Sequence, residues 1–186
     1  KLDKLFSYKD YLSWPDDERW ELINGIPYDM SPAPSTMHQR ISSRLHGQFF
    51  AFFEKKTCEV FAAPFDVKLL VADEKVEDIN TIVQPDILVI CDPEKLDDAG
   101  CTGAPDLIIE IISPSTAKKD MKVKFQLYEK HGVKEFWIVH PSEKCIEIFS
   151  VDQEGKYSKP DMYAEDDIIK DHLFPGFEVD LSRVFS

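Results

Sequence analysis

Two acidic residues occupy positions where a buried carboxylate destabilises the fold, unless a partner compensates its charge or it has a function. Glu110 lies in the middle of PDLIIEIISPST (residues 105–116), an otherwise aliphatic run. An isolated ionised carboxylate in such a strand would be strongly destabilising. Asp86 follows Pro85 at the start of a second aliphatic run, PDILVI (85–90). If these strands are neighbours, the two carboxylates repel unless a proton or a cation separates them, and Mg²⁺ is the natural cation.

The aspartates that follow prolines also have a purely structural interpretation. Asp86 and Asp106 each come directly after a proline, so each could cap a turn. A period of two places Asp106 on the same face of its strand as Glu110. Because Asp106 lies at the beginning of the strand, the structural interpretation is favoured there, whereas for Glu110 a functional role is favoured.

A lysine is directed inward on the helix predicted to follow this strand. At about 100° per residue, an apolar stripe runs along the helix, and Lys124 falls inside it; the stripe consists of Ala117, Met121, Phe125 and Tyr128. Lys124 could extend its ammonium to the surface, or it could complete a carboxylate site by polarising a water or holding a phosphate oxygen. Asp120 could orient Lys124, or it could be an ordinary first-turn acid.

These residues must be positioned by a mixed α/β fold in one domain, residues 1–186. Periodicity and turn residues predict a hairpin at Asn24-Gly25 and a helix from Ser35 or Thr36 to about Lys56, with His38 pointing inward. The other predicted elements are a short helix capped by Ser7, strands at 65–71, 85–90, 105–112, 134–140, 144–151 and about 156–164, and a helix at 117–131 ended by Gly132. The predicted architecture is a central mixed β-sheet flanked by helices.

Composition limits the classes of function. The net charge of −13 argues against a general nucleic-acid coat, although six lysines between positions 118 and 134 leave a local basic face possible. Four cysteines without a CxxC pair predict reduced thiols, with neither a zinc knuckle nor a disulfide framework. No apolar run approaches the roughly 20 residues that span a bilayer. We therefore expect a soluble, cytoplasmic protein without a membrane partner.

Several segments together resemble the Uma-two type of restriction endonuclease, a branch of the PD-(D/E)XK nuclease superfamily. The resemblance runs from about Tyr11 to Phe185 and is most specific between Asp106 and His140. The segments that carry it are WELINGIPYDMSP, VQPDILVI, PDLIIEIISPSTAKKDMKVKFQLYEKHGVKEFWIVHP and LFPGFEVDL.

The resemblance implies a restriction-endonuclease-like core and a set of site residues. Asp86 and Glu110 match the superfamily's acidic pair, whereas its usual lysine, two residues after the glutamate, is replaced by Ile112. The family's helix lysine falls on Lys124, which is the residue that the helical stripe indicates. Glu21 matches an early conserved acid and is implied as a third metal ligand. His38 matches a recurring histidine without an assigned role. The chain departs from the family pattern at one dipeptide, His140-Pro141, where Asp-Pro is usual.

The expected function is Mg²⁺-dependent hydrolysis of DNA, with Mn²⁺ as a substitute and a homodimer possible. Asp86, Glu110 and Glu21 would hold the metal, and Lys124 would position or activate the attacking water. A catalytically impaired module of the same fold, which binds nucleic acid or protein, is the main alternative. A glycoside hydrolase built on paired carboxylates is a third reading, disfavoured because few aromatic residues lie near the acids in sequence.

Overall fold

The computed structural model describes residues 4–15, 18–30, 33–71, 74–113 and 119–186, and only the backbone of Lys119 and Asp120. The helices are α1 (Tyr8–Tyr11), α2 (Thr36–Phe53), α3 (Phe125–His131) and α4 (Leu181–Phe185), with 3₁₀ turns at Val76–Asp78 and Pro93–Lys95 and a π-helix at Lys119–Lys124. The strands are β1 (Trp20–Ile23), β2 (Ile26–Asp29), β3 (Glu59–Ala62), β4 (Val67–Lys68), β5 (Ile82–Val83), β6 (Ile87–Ile90), β7 (Leu96–Asp97), β8 (Gly100–Thr102), β9 (Leu107–Ile111), β10 (Glu135–His140), β11 (Cys145–Ser150), β12 (Asp161–Ala164), β13 (Ile168–Lys170) and β14 (Glu178–Asp180).

The strands form two six-stranded sheets and one separate hairpin. The central sheet has the order β12-β11-β10-β9-β6-β3, in which β9 and β10 are parallel and the other pairs are antiparallel. The second sheet has the order β2-β1-β5-β4-β8-β7, and β13 pairs with β14. The predicted mixed α/β class and the central mixed sheet are confirmed. The second sheet is assembled largely from two- and three-residue strands, which are too short to show a period in the sequence.

The central sheet is covered on both faces, as continuous apolar strands require. Leu107, Ile109 and Ile111 of β9 pack in one cluster with the buried stripe of α2 and with β14 and α4. Ile108 packs in the other cluster, with Leu127 and Tyr128 of α3 and residues of the second sheet. Glu110 lies on this second face, so its carboxylate is directed toward α3 rather than toward α2.

The local elements follow the predicted caps and turns, with two differences among the strands. Ser7 and Ser35 precede α1 and α2, the hairpin turns at Asn24-Gly25, and Gly132 ends α3 at a φ of +79°. The strand predicted at 65–71 is limited to β4, and β3 was not predicted. The predicted start of the helix at 117 lies outside the described residues.

The segment before α3 is a π-helix, and this changes which side chains are buried. Met121, predicted to lie on the inward stripe, is exposed, whereas Lys124 is buried. The predicted stripe assumes an α-helix with about 100° per residue, but a π-helix bonds residue i to i+5 and therefore turns less per residue. Along the described residues, no helix is long and apolar enough to cross a membrane.

Two of the cysteines form a disulfide bond, contrary to the prediction of reduced thiols. Cys58 and Cys91 are bonded, whereas Cys101 and Cys145 are free. Glu59 at the start of β3 pairs with Ile90 at the end of β6, so the cysteines that flank these two residues face each other. Spacing could not reveal the pair, because 33 positions separate the two residues in sequence and only the pairing of β3 with β6 brings them together.

A second buried acidic pair lies on the α2 face of the central sheet. Glu135, the first residue of β10, is buried beside Asp171, which follows β13. Burial, and then the neighbouring Asp171, raise the pKa of Glu135 to about 8. Burial also raises the pKa of Asp171. Oε2 of Glu135 and Oδ2 of Asp171 are both buried without a hydrogen-bond partner among the described residues, and a charge on Asp171 disfavours ionisation of Glu135.

Candidate functional site

Lys124 joins two buried carboxylates from different parts of the chain. Its Nζ lies 2.7 Å from Oε1 of Glu110 and 2.7 Å from Oε1 of Glu21. The three residues are 2%, 4% and 0% exposed, respectively. Since uncompensated charges are strongly disfavoured in such surroundings, the ammonium and the carboxylates depend on one another. The structure therefore brings together three of the four predicted site residues.

Tyr128 completes this group from the next turn of the helix. Its hydroxyl donates to Oε1 of Glu110 at 2.6 Å, so one oxygen of Glu110 accepts from both Tyr128 and Lys124. Burial, and then the Glu110 carboxylate, raise the pKa of Tyr128 well above its usual value. The phenol therefore stays protonated and remains a donor. The two bonds fix the orientation of the Glu110 carboxylate.

Asp86, the fourth predicted residue, lies at the beginning of β6. The register pairs Ile87 with Ile109, so its continuation places Asp86 opposite Glu110. Oδ2 of Asp86 accepts a hydrogen bond from the backbone N–H of Ile111 at 2.7 Å and lies 3.2 Å from Nε2 of His38. The inward orientation predicted for His38 thus brings its ring to Asp86. The bond from Ile111 fixes Asp86 to the same strand that carries Glu110.

Gln84 connects Glu21 of the site to the side chains of Arg19 and Asp66. Its backbone N–H donates to Oε1 of Glu21 at 3.1 Å. Its side-chain carbonyl accepts from Nε and Nη2 of Arg19 at 3.1 and 2.7 Å, and its amide N–H donates to Asp66 at 2.8 Å. Burial raises the pKa of Asp66, whereas hydrogen bonds from Gln84 and Tyr11 lower it. Gln84 is buried, and both its backbone and its side chain are fixed.

A cleft of about 750 Å³ opens onto these residues. Its walls include Asp86, Glu110 and Lys124, together with Arg19 and one face of α2 from Ser35 to His46. Ile112, the residue at the superfamily's usual lysine position, also lines the cleft. Glu21 is fully buried behind Lys124. The cleft therefore gives a ligand access to two carboxylates and one ammonium.

The donors in this cleft fit a Mg²⁺ ion held by two carboxylates. Among the residues that the structure describes, no three His, Cys, Asp and Glu side chains form a metal-binding group. Mg²⁺ does not need three, because it is usually bound through one or two carboxylates, with waters and substrate phosphates as its other ligands. Asp86 and Glu110 are hard oxygen donors on adjacent strands and supply this set.

Other residues singled out in the sequence lie away from this group or have partners of their own. Asp106 accepts from the backbone N–H of Cys91 at 2.8 Å and from Lys134 at 2.6 Å, which supports its structural interpretation. His140 lies 2.7 Å from Glu147 across β10 and β11. Lys122 and Lys130 are exposed. The side chain of Asp120 lies outside the described residues.

Sequence reasoning missed three residues of the site. Tyr128 was placed on the inward stripe, but nothing in the pattern distinguishes an apolar tyrosine from one that donates to a carboxylate. Gln84 offered a weak signal, since it is a polar residue directly before Pro85 in an apolar stretch. Arg19 offered none, because its position depends on Gln84, which is 65 residues away.

The sequence and the fold both resemble those of known proteins. The family model Uma2, described as "Putative restriction endonuclease", matches residues 8–182. The chain is 27% identical to the uncharacterized protein slr1290 of Synechocystis sp. over 180 residues, which cover 94% of this chain and 90% of that protein. It also superposes on the crystal structure of a "putative nuclease belonging to DUF820" from Anabaena variabilis with a TM-score of 0.73. That match covers 97% of each chain at 18% identity, so it bears on the fold alone. Since the family model covers nearly the whole sequence, this chain belongs to the Uma2 family.

Proposed function

We propose that this chain is a Mg²⁺-dependent endonuclease that hydrolyses phosphodiester bonds in DNA. The observation that carries the proposal is the Lys124 ammonium, 2.7 Å from Glu110 in a cleft that Asp86 also lines. The description of the family and the nuclease named among its structural neighbours support the same class of reaction. The lysine is supplied by the helix that follows β9, since Ile112 occupies its usual place in the strand.

Asp86 and Glu110 would hold the metal. When bound, Mg²⁺ supplies positive charge against the charge that develops on the phosphate and makes water a better nucleophile. The chain keeps both carboxylates oriented: the N–H of Ile111 and the ring of His38 contact Asp86, whereas Tyr128 and Lys124 bind Glu110. Preorganised ligands of this kind need not rearrange during the reaction.

Lys124 would act on the phosphate and the attacking water. Its ammonium is held between Glu110 and Glu21, so its position is fixed before substrate arrives. A cation in a water-poor cleft stabilises developing negative charge more effectively than one in bulk solvent. Glu21, implied by the resemblance as a third metal ligand, is given a different task in this proposal. It holds the lysine, because its carboxylate is fully buried and accepts from Lys124 and from the Gln84 backbone.

Cleavage of supercoiled plasmid in the presence of Mg²⁺ tests the proposal. We expect nicking by the wild-type protein and none by Glu110→Gln, whereas Asp98→Asn, a change at an exposed acid outside the cleft, should cleave at the wild-type rate. Cleavage by Glu110→Gln at the wild-type rate would contradict the mechanism. Wild-type protein that is inactive with both Mg²⁺ and Mn²⁺ would contradict the proposed activity.

The impaired binding module is the second candidate. Two observations favour it: no three acidic or histidine side chains form a metal-binding group within the described residues, and both carboxylates beside Lys124 are already paired with its ammonium. Thermal unfolding with and without Mg²⁺ separates the two candidates. A rise in melting temperature that is lost in Asp86→Asn supports the enzyme, whereas DNA binding without any response to metal supports the module.

A further inference from the structure

Arg19 is held rigidly on the wall of the cleft. Both of its bonds go to one atom, Oε1 of Gln84, at 3.1 Å from Nε and 2.7 Å from Nη2. The orientation of the Gln84 amide is itself determined, because its nitrogen donates to Asp66 at 2.8 Å and its oxygen must then face Arg19. The guanidinium is therefore preorganised by a partner that is buried and fixed.

Among the described residues, Arg19 is the cleft cation that forms no ion pair, although Asp66, bonded to the same Gln84 amide, lies near enough for the Arg19 charge to oppose the rise that burial causes in its pKa. Among the described residues that line the cleft, the Lys and Arg side chains are Arg19 and Lys124. Lys124 is bound by Glu21 and Glu110, whereas Arg19 is bound by a neutral amide. A guanidinium has five N–H donors, and the bonds to Gln84 use only two of them. In a chain with a net charge of −13, a cation left with unused donors in a cleft marks a binding position for an anion.

The same segment connects Arg19 to the carboxylate site. The backbone of Gln84 donates to Glu21, and Asp86 comes two residues later in the chain. Arg19, Asp86 and Glu110 all line one cleft. An anion bound by Arg19 would therefore share this cleft with a group bound at the two carboxylates.

We propose that Arg19 binds a backbone phosphate of a polynucleotide, next to the phosphate that is cut. This inference rests on the proposed function and adds a substrate-binding residue to it: Arg19 would contact a phosphate other than the one that is cut. The planar fork of the guanidinium matches two phosphate oxygens, and its charge provides affinity without reading the base sequence.

Binding of a fluorescein-labelled DNA duplex, measured by anisotropy in EDTA over a series of KCl concentrations, tests this inference without requiring cleavage. We expect Arg19→Gln to weaken binding on the order of tenfold and to reduce the slope of log K against log [KCl] by about 0.9. Arg40→Gln, which removes an exposed arginine of α2 that does not line the cleft, is the matched control and should bind like the wild type.

Two further variants keep the test informative if Arg19→Gln folds poorly. Gln84→Glu introduces a carboxylate against the guanidinium and should weaken binding to a similar extent, since Arg19 is then neutralised in place. Arg19→Lys should keep the salt slope but bind more weakly than the wild type, because the fork is lost. Equal affinity and slope in the wild type, Arg19→Gln and Gln84→Glu would overturn the inference, as would a wild-type protein that does not bind DNA. An inactive wild type whose binding depends on Arg19 would contradict only the proposed cleavage.

Discussion

Nζ of Lys124 lies 2.7 Å from Oε1 of Glu110, although the two residues belong to different elements and are 14 positions apart. The contact places a cation from the helical segment at the carboxylate of the central sheet. In the proposed mechanism it takes the place of the lysine that the resemblance leads one to expect at position 112. Stability and activity are both expected to depend on this contact.

Replacement of Lys124 by Met should destabilise the fold and abolish cleavage. Glu21 and Glu110 would then be two buried carboxylates without their cation, and breaking a buried pair in this way costs about 3–5 kcal/mol. Urea unfolding measures the loss. Lys122→Met, an exposed change in the same π-helix, should stay within about 0.5 kcal/mol of the wild type. Adding Glu21→Gln to Lys124→Met should recover part of the stability but none of the activity; no recovery would argue against the pairing of Lys124 with Glu21.

Removal of the Tyr128 hydroxyl should lower the free energy of unfolding more than removal of a tyrosine hydroxyl that bonds a neutral group. Tyr128→Phe loses a 2.6 Å bond to a carboxylate, which is worth about 1.5–3 kcal/mol. Tyr157→Phe loses a 2.9 Å bond to the carbonyl of Val133, and this neutral bond is worth about 1 kcal/mol. Tyr128→Phe should also reduce kcat for cleavage, since Glu110 is less well oriented, whereas Tyr157→Phe should not. Similar losses of stability and unchanged rates in both variants would refute this role.

The contribution of the buried Glu135 to stability should fall as the pH rises from about 5 to about 8. Burial, and then Asp171, raise the pKa of Glu135 to about 8, whereas an unfolded glutamate titrates near 4.3. The folded chain therefore holds a proton that the unfolded chain releases. This contribution is complete below the unfolded pKa and is lost as the pH rises through the folded one. Urea unfolding at several pH values should show the decline, and Glu135→Gln should flatten it. Glu143→Gln, at an exposed position, should keep the wild-type slope; a slope unchanged by Glu135→Gln would exclude the pair as its source.

Asp106 should matter for stability and not for cleavage. Asp106 directly precedes β9, and its carboxylate accepts hydrogen bonds from the Cys91 backbone and from Lys134. Asp106→Ala should therefore lower the free energy of unfolding by about 1–3 kcal/mol. At a temperature where the variant is folded, the rate of Mg²⁺-dependent cleavage should match that of the wild type. A large loss of rate in folded protein would instead place Asp106 in the site.

Glu110 and Lys124 were identifiable from sequence because each violates a strong local pattern. A charge in an aliphatic strand and a lysine on an apolar stripe both need an explanation, and the structure places the two side chains in contact. The prediction for Met121 from the same stripe was wrong, since the backbone there is a π-helix and not an α-helix. Arg19, Gln84 and the pair of Cys58 with Cys91 depend on contacts between distant segments. No local period encodes such contacts.

The π-helix at Lys119–Lys124 determines which side chains ahead of the lysine are buried. An i→i+5 turn holds one residue more than an α-helical turn over the same stretch of backbone. Deletion of one residue before position 124 would let the segment become regular α-helix, with the side chains before the deletion rotated by about 100° relative to Lys124 and Tyr128. Lys124 already has α-helical backbone angles and lies one turn before Tyr128, so both side chains would keep their place at Glu110. The extra residue of this turn therefore sets the exposure of side chains such as Met121, whereas the lysine is positioned by α3.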